Sequence, residues 1–291
     1  MHDMMHYHEW STTERSGGLT VCGWRLRGGM ATDAMSDGIP DTVAEPALPD
    51  GCPELLFNFG DPFEHHDARG RIRRQPRAFL VGQITRPFDV RPTGRIDLVA
   101  LRFEAHGVWG LTTPHAPPAD DWIDADSAIA THRLSAMSSV RVLWHTLAPL
   151  DDAGREQAVN EWLAHYAKTA PRADEVVMNA VRAIRVSGGS ASIDALAEVH
   201  GIALRTLQRR FSAQLGVSPK LFARIVRFHR VCTAWRREPG TLARVAADAG
   251  YCDESHLIRD FRAFVGEPPT AFMVALPAFT ALFIQGDGGG V

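Results

Sequence analysis

The sequence predicts an α+β fold: a β-rich barrel or sandwich with helices, joined to an all-α region holding two helix-turn-helix units. Three observations carry that expectation. Between residues 19 and 103, short apolar or alternating runs are cut by Gly, Pro and Asp. From residue 125 onward, apolar residues recur at three- and four-residue intervals. Residues 196–222 recur, with one insertion, as residues 245–272.

The bulk numbers bound the answer. A chain of 291 residues accommodates two ordinary domains. With 45% apolar and 22% charged residues it has the composition of a globular protein, which excludes wholesale disorder. No run approaches the roughly 18 apolar residues of a membrane span. Residues 1–10 are His- and Met-rich and lack the basic-then-apolar layout of a signal peptide, so a cytoplasmic protein with no membrane partner is expected. Cys22, Cys52, Cys232 and Cys252 are far apart in sequence and are expected as buried free thiols, not as a disulfide framework or a zinc site. The net charge of −3 conceals an asymmetry: residues 1–171 carry −7, residues 172–276 carry +5. A basic third on an acidic remainder is the layout of a nucleic-acid-binding module attached to something else.

In the first part, "ELLFNF" (54–59), "AFLVGQI" (78–84) and "IDLVALRF" (96–103) read as strands, with the turn signals "GDP" and "RPTGR" between them. Residues 1–20 read as poorly ordered, or tied down late. Trp24, Phe57, Phe59, Phe79, Phe103 and Trp109 supply enough aromatic surface to line a pocket, although core packing explains each equally well. Residues 125–148 and 153–169 read as helices, and "AKTAPRAD" (167–174) as a hinge. The expected division is 1–171, 172–276 and a Gly-rich tail, 277–291.

The repeat is the most informative feature. In "LQRRFSAQLGVSP" (207–219), Leu207, Phe211 and Leu215 draw one apolar stripe along a helix that Gly216 ends and Pro219 keeps from continuing. Arg205, Gln208, Arg209 and Ser212 share the opposite side. Laid on residues 245–272, the framework returns as Ala197/Ala246, Gly201/Gly250, Leu207/Leu257, Arg209/Arg259, Phe211/Phe261, Gly216/Gly266, Pro219/Pro269 and Phe222/Phe272. Each copy reads as a short helix, a Gly-containing turn and a longer helix. Residues 219–238 between them read as one helix of about 30 Å. Two units on such a rod are spaced for successive major grooves, which repeat about every 34 Å.

On these residues the C-terminal region resembles the double helix-turn-helix domain of AraC/XylS-type transcription regulators. The resemblance covers residues 190–276 and is sharpest in "VAADAGYCDESHLIRDFRAFVGEPPTAF". Two positions depart from the family pattern. Ala203 stands where Ser often caps the first reading helix, a loss of about 1 kcal/mol; Met273 stands where an Arg commonly follows. The resemblance implies that double-stranded DNA is the partner. It also implies that Arg205, Gln208, Arg209 and Ser212 form one reading face and Glu254, Ser255, His256 and Arg259 the other. Arg pairs bidentately with guanine and Gln with adenine. For Arg210 and Arg262, a phosphate contact and a merely solvated side chain stay open. Residues 178–231 carry +7 and residues 232–276 carry −1, with Asp253, Glu254 and Asp260 around the second reading helix. The first unit is therefore expected to be the anchor.

"LPDGCPELLFNFGD" (48–61), "FLVGQITRP" (79–87) and "LVALRFEAHGVWGL" (98–111) resemble, in that order, the cupin-like sensory domain of a subset of these regulators. That implies a β-rich pocket for a small effector, expected to be largely apolar or aromatic, followed by helices that dimerise. A homodimer is expected through residues 126–168, where Leu134, Met137, Leu143, Trp144, Leu147, Trp162 and Leu163 exceed what a small barrel needs as cover. No enzyme, metal or cofactor is expected. There is no G-x-S-x-G elbow or phosphate loop, and "HYHE" (6–9) and "HHD" (65–67) are the only metal-ligand candidates, one in a loose terminus and one in a loop. The alternative is a regulator without a ligand, whose first domain serves only dimerisation or contact with a protein such as RNA polymerase.

Overall fold

The computed structural model describes residues 5–28, 44–112, 122–124, 137–238 and 240–274. The run "IDLVALRF" decides the architecture of the first part. All eight residues of this strand, β9 (Ile96–Phe103), are buried. Six are apolar and lie on both faces, which needs cover on both sides, and Asp97 and Arg102 are buried in ion pairs. Leu98 and Ala100 face a second sheet, while Val99 and Leu101 face helices. Around β9 the first sheet runs β1 (His6–Trp10), β2 (Thr20–Gly28), β9, β4 (Glu54–Asn58), β7 (Ala78–Val81) and β10 (Trp122–Asp124). The second runs β3 (Glu45–Pro46), β8 (Phe88–Pro92), β5 (Phe63–Asp67) and β6 (Ile72–Arg74). Every pairing is antiparallel.

Two sequence expectations are corrected here. The N-terminal stretch is not loose: His6 to Trp10 pair residue by residue with Arg27 to Gly23, and Trp10 is buried. "HHD" is not a loop either, since all three residues lie in β5, with His65 stacked 4.3 Å from Phe88. Among the described residues no three His, Cys, Asp or Glu side chains gather as metal ligands would. Of the four free thiols, Cys22 and Cys232 are buried, Cys52 is half-buried and Cys252 is exposed.

Helices cover the outer face of the first sheet. α1 (Thr13–Ser16) and α2 (Trp109–Thr112) are single turns; α3 (Met137–Leu147) and α4 (Asp152–Thr169) are the main cover. Leu143, Leu147, Val159 and Leu163 are buried against Leu55, Phe57, Val99 and Phe103. Arg155 closes the seam: it reaches Asp97 of β9 at 2.7 Å, donates to Leu147 O and lies 4.0 Å over the Phe59 ring. The apolar residues expected to make a dimer are therefore largely covered within the chain. Trp144 and Trp162 also pack on this core, while Leu134 and the Met137 side chain lie outside the described residues. The outward faces of the two helices carry Arg141, His145, Gln157, Glu161, His165 and Lys168.

From Glu175 the chain is helical: α5 (Glu175–Val186), α6 (Ile193–Val199), α7 (Leu204–Leu215), α8 (Pro219–Arg237), α9 (Leu242–Asp248), α10 (Glu254–Val265) and α11 (Pro269–Val274). Asp174 caps α5 by accepting from the Val176 and Val177 N–H groups. Two cores form on one rod. Phe222, Ala223 and Val226 of α8 pack with Val181, Ile184, Leu207 and Phe211. Further along, Ile225, Phe228 and Val231 pack with Val245, Leu257, Phe261 and Phe264. The expected tail, 277–291, lies outside the described residues.

Candidate DNA-reading faces and ligand cavity

The first helix-turn-helix unit is α6 and α7. Gly201 turns the chain at φ 61, in the left-handed region where a Cβ is strained, and its counterpart Gly250 does so at φ 80. Leu207, Phe211 and Leu215 bury the inner stripe of α7, which leaves Arg205, Gln208 and Arg209 exposed on one outer face, with Ser212 half-buried beside them. No ion pair engages Arg205 or Arg209 among the described residues. Arg210 differs: its guanidinium lies 3.2 Å from Asp174. Ala203 sits at the N-cap and offers no side-chain acceptor, whereas in the second unit Asp253 accepts from the His256 N–H at 2.7 Å. Ala203→Ser should therefore raise stability by about 1 kcal/mol in urea unfolding, without altering the reading face. An unchanged midpoint would show that another group already satisfies the helix end.

The second unit, α9 and α10, exposes Glu254, Ser255 and Arg259. His256 is half-buried, its ring edge-on to Tyr251 at 5.0 Å. The Arg259 Nε turns back to Ser255 O at 3.3 Å. Asp260 does not belong to this face at all. It is buried on the inner side of α10 and accepts from Arg224 of α8 at 2.7 and 3.0 Å, while Arg224 also lies over Phe264. Asp253 serves as a cap but stays exposed, so Asp253 and Glu254 remain on the surface at the start of α10 and only Asp260 is withdrawn from it. The negative charge counted around this helix is thus smaller in effect than in number.

Between the two N-terminal sheets lies a cavity of about 100 Å³. Trp24, Phe63, Phe79 and Phe88 give it an aromatic wall, and Asp50, Glu54 and Arg102 stand at one end. Of the six aromatics singled out in the sequence, Trp24 and Phe79 line it; Phe57 and Phe103 pack into the other core, under the helices. Arg102 is nearly fully buried, 3.0 Å from Glu54 and 3.4 Å from Asp50. Trp24 Nε1 donates to Glu54 at 3.1 Å. Burial raises the Glu54 pKa, against the pull of Arg102.

The loop that carries Asp50 faces two ways. The Cys52 N–H donates to the Asp50 carboxylate at 2.8 Å, on the cavity side. On the other side Arg185 of α5 donates to Gly51 O at 3.0 Å and to Cys52 Sγ at 3.2 Å, and its Nε lies 3.3 Å from Glu104. Burial pushes the Cys52 thiol up to about 12, so this contact is a hydrogen bond to a neutral thiol and not an ion pair. Gly51 adopts φ 80 with a Cβ position 3.0 Å from the Phe222 ring of α8, and Gln83 Nε2 also donates to Gly51 O. One five-residue stretch therefore forms an end of the cavity and touches both α5 and α8.

The model of a helix-turn-helix domain matches residues 196–274, the stretch from α6 to α11. A Streptomyces lividans protein described as an AraC-like transcription regulator is 30% identical over 164 residues. The C-terminal helices are a helix-turn-helix domain. The match to the Streptomyces protein covers 54% of this chain and 52% of the relative, so the chain spans about half the length of the curated protein it resembles. Residues 20–124, from β2 to β10, match a domain of unknown function (DUF6597). Among solved structures, ToxT from Vibrio cholerae aligns over 96% of this chain and 100% of its own, at TM-score 0.45 and 8% identity. The AraC-like transcriptional activator CuxR aligns over 87% and 84%, at TM-score 0.29 and 12% identity.

Within the helix-turn-helix domain the structure brings Arg205, Gln208, Arg209 and Ser212 onto one face of α7, and Glu254, Ser255, His256 and Arg259 onto the first two turns of α10. Arg102, Glu54 and Arg185 were not singled out in the sequence. The first two lie inside motifs that were quoted, "LVALRFE" and "PDGCPELLF", and a charged residue within an otherwise apolar strand was the available signal. Arg185 had none, since a basic residue near a helix C-terminus is the common case.

Proposed function

We propose that this protein is a sequence-specific DNA-binding transcription regulator controlled by a small molecule held between its N-terminal sheets. The observation that carries the reading is the doubled reading helix on one rigid rod: α7 and α10 each turn a polar face outward while their apolar stripes pack on the same helix, α8. Arg205, Gln208 and Arg209 have the side-chain chemistry for base edges in the major groove, and Glu254 is an acceptor suited to cytosine N4. The cavity, with its aromatic wall and one polar end, has the composition of a small-molecule site. The Asp50–Cys52 loop, bonded to Arg185, supplies a route from ligand to reading helices.

In this reading the protein acts in the cytoplasm, has no catalytic role, and works as a homodimer that contacts RNA polymerase. Light scattering of the full chain at micromolar concentration tests the dimer, and a mass near 31.9 kDa removes it. For the effector, a thermal-shift screen of a metabolite library is the direct experiment. A ligand at a hundredfold excess over its Kd adds about 2.7 kcal/mol. A library without any stabiliser leaves the N-terminal part with dimerisation or protein contact alone.

A further inference from the structure

The charges at the polar end of the cavity do not balance. Arg102 has two carboxylates against it, Glu54 at 3.0 Å and Asp50 at 3.4 Å. Its own side chain is only 6% exposed, while those of Asp50 and Glu54 keep 15% and 18%. Both acids line the cavity. Among the described lining residues the cavity therefore presents acceptor oxygen and one surplus negative charge; the guanidinium is occupied. Apart from the uncharged Cys52 and Gln75, the rest of the wall is aromatic and aliphatic. A buried charge without a partner is costly, and a ligand that brings the missing charge is favoured over one that adds to the imbalance. A carboxylate ligand would place a third anion against one cation.

We propose that this cavity binds a small amine on an apolar or aromatic body, with its ammonium at the Asp50–Glu54 end. The proposal rests on the reading that the cavity is the effector site, and it narrows the class of effector. It also gives the ligand a direct hold on the loop that Arg185 grips, because Asp50 is the residue that accepts from the Cys52 N–H.

The test uses the full chain and a panel of alkyl- and arylamines, each with its alcohol and carboxylate isostere; benzylamine, benzyl alcohol and benzoate form one such set. Binding is measured by calorimetry at neutral pH. The amines should bind at least about tenfold more tightly than their alcohols, the gain of one charge-assisted contact, and the carboxylates should not bind. Glu54→Gln should remove most of the advantage of amine over alcohol while leaving the alcohols unaffected. Leu56→Trp, which fills the cavity and keeps every charged residue, should abolish binding of both. The isostere comparison on the unmodified protein stands even where a variant fails to fold. Alcohols or carboxylates that bind as well as the amines would overturn the ligand class and leave the effector site in place. A panel in which nothing binds would overturn both.

Discussion

Arg185→Ala should lower the stability of the full chain by about 3 kcal/mol and split its urea unfolding into two transitions. The side chain is a polar tie between the N-terminal sheets and the C-terminal helices. It donates to Gly51 O and Cys52 Sγ, lies beside Glu104 and sits over the Phe222 ring. Removing one partner of a buried charge pair costs about 3–5 kcal/mol. Both Arg185 and Glu104 keep more than a quarter of their side chains exposed, which puts the expectation at the low end. The alanine variant also leaves Gly51 O with Gln83 alone. Each half keeps its own core, so each should still fold, but the cooperativity between them should fall. Arg185→Lys should recover part of the loss, since an ammonium still faces Glu104 but lacks the fork that reaches two further acceptors. A single transition with an unchanged midpoint would show that apolar contacts, such as Gly51 on Phe222, hold the halves together without it.

Arg209→Ala should cost more operator affinity than Arg259→Ala, with roughly 1–3 kcal/mol expected for a lost bidentate base contact. The charge count behind this asymmetry needs the corrections that pairing imposes. On the first unit Arg210 is tied to Asp174, Arg224 to Asp260 and Arg185 to Glu104, so part of the +7 never reaches DNA. On the second, Asp260 is engaged by Arg224 within the protein, so Asp253 and Glu254 are the acids left to repel phosphate at the start of α10. The difference that survives is local. Arg205 and Arg209 stand exposed and unpaired on α7, whereas Arg259 shares α10 with Glu254 and bends back to Ser255 O. Phosphate neutralisation dominates affinity, so the first unit should carry most of the salt dependence. Both variants are to be titrated on one operator at one salt concentration. Equal losses, or the larger one at Arg259, would overturn the asymmetry.

Much of the C-terminal region was legible because its information is local. A 3.6-residue stripe, a glycine at the turn and a proline at N1 act over a few residues, and the repeat displays them twice. The uncapped Ala203 was visible for the same reason. The burial of Asp260 was half legible: Leu257, Asp260, Phe261 and Phe264 share one side of the helix, so an acid on the apolar stripe was there to be seen. Its partner Arg224, 36 residues away in sequence, was not.

The N-terminal part shows the other limit. Six of the eight residues in "IDLVALRF" are apolar and they fall on both faces, which pointed to cover on both whatever the topology. Whether the covering helices then met a second copy or the sheet itself was a question of what lay opposite, and amphipathicity alone cannot answer it. The same holds for residues 6–10, whose order comes from hydrogen bonds to residues 23–27. Sequence by itself determined the helix-turn-helix pair, its outward polar residues and the doubly buried strand, because periodicity and turn chemistry act between near neighbours. Tertiary structure alone decided that Asp50, Glu54 and Arg102 share one end of a cavity and that Arg185 grips the loop behind it. Those contacts join residues up to 134 positions apart, and the energy of a buried charge depends on which partners the fold delivers.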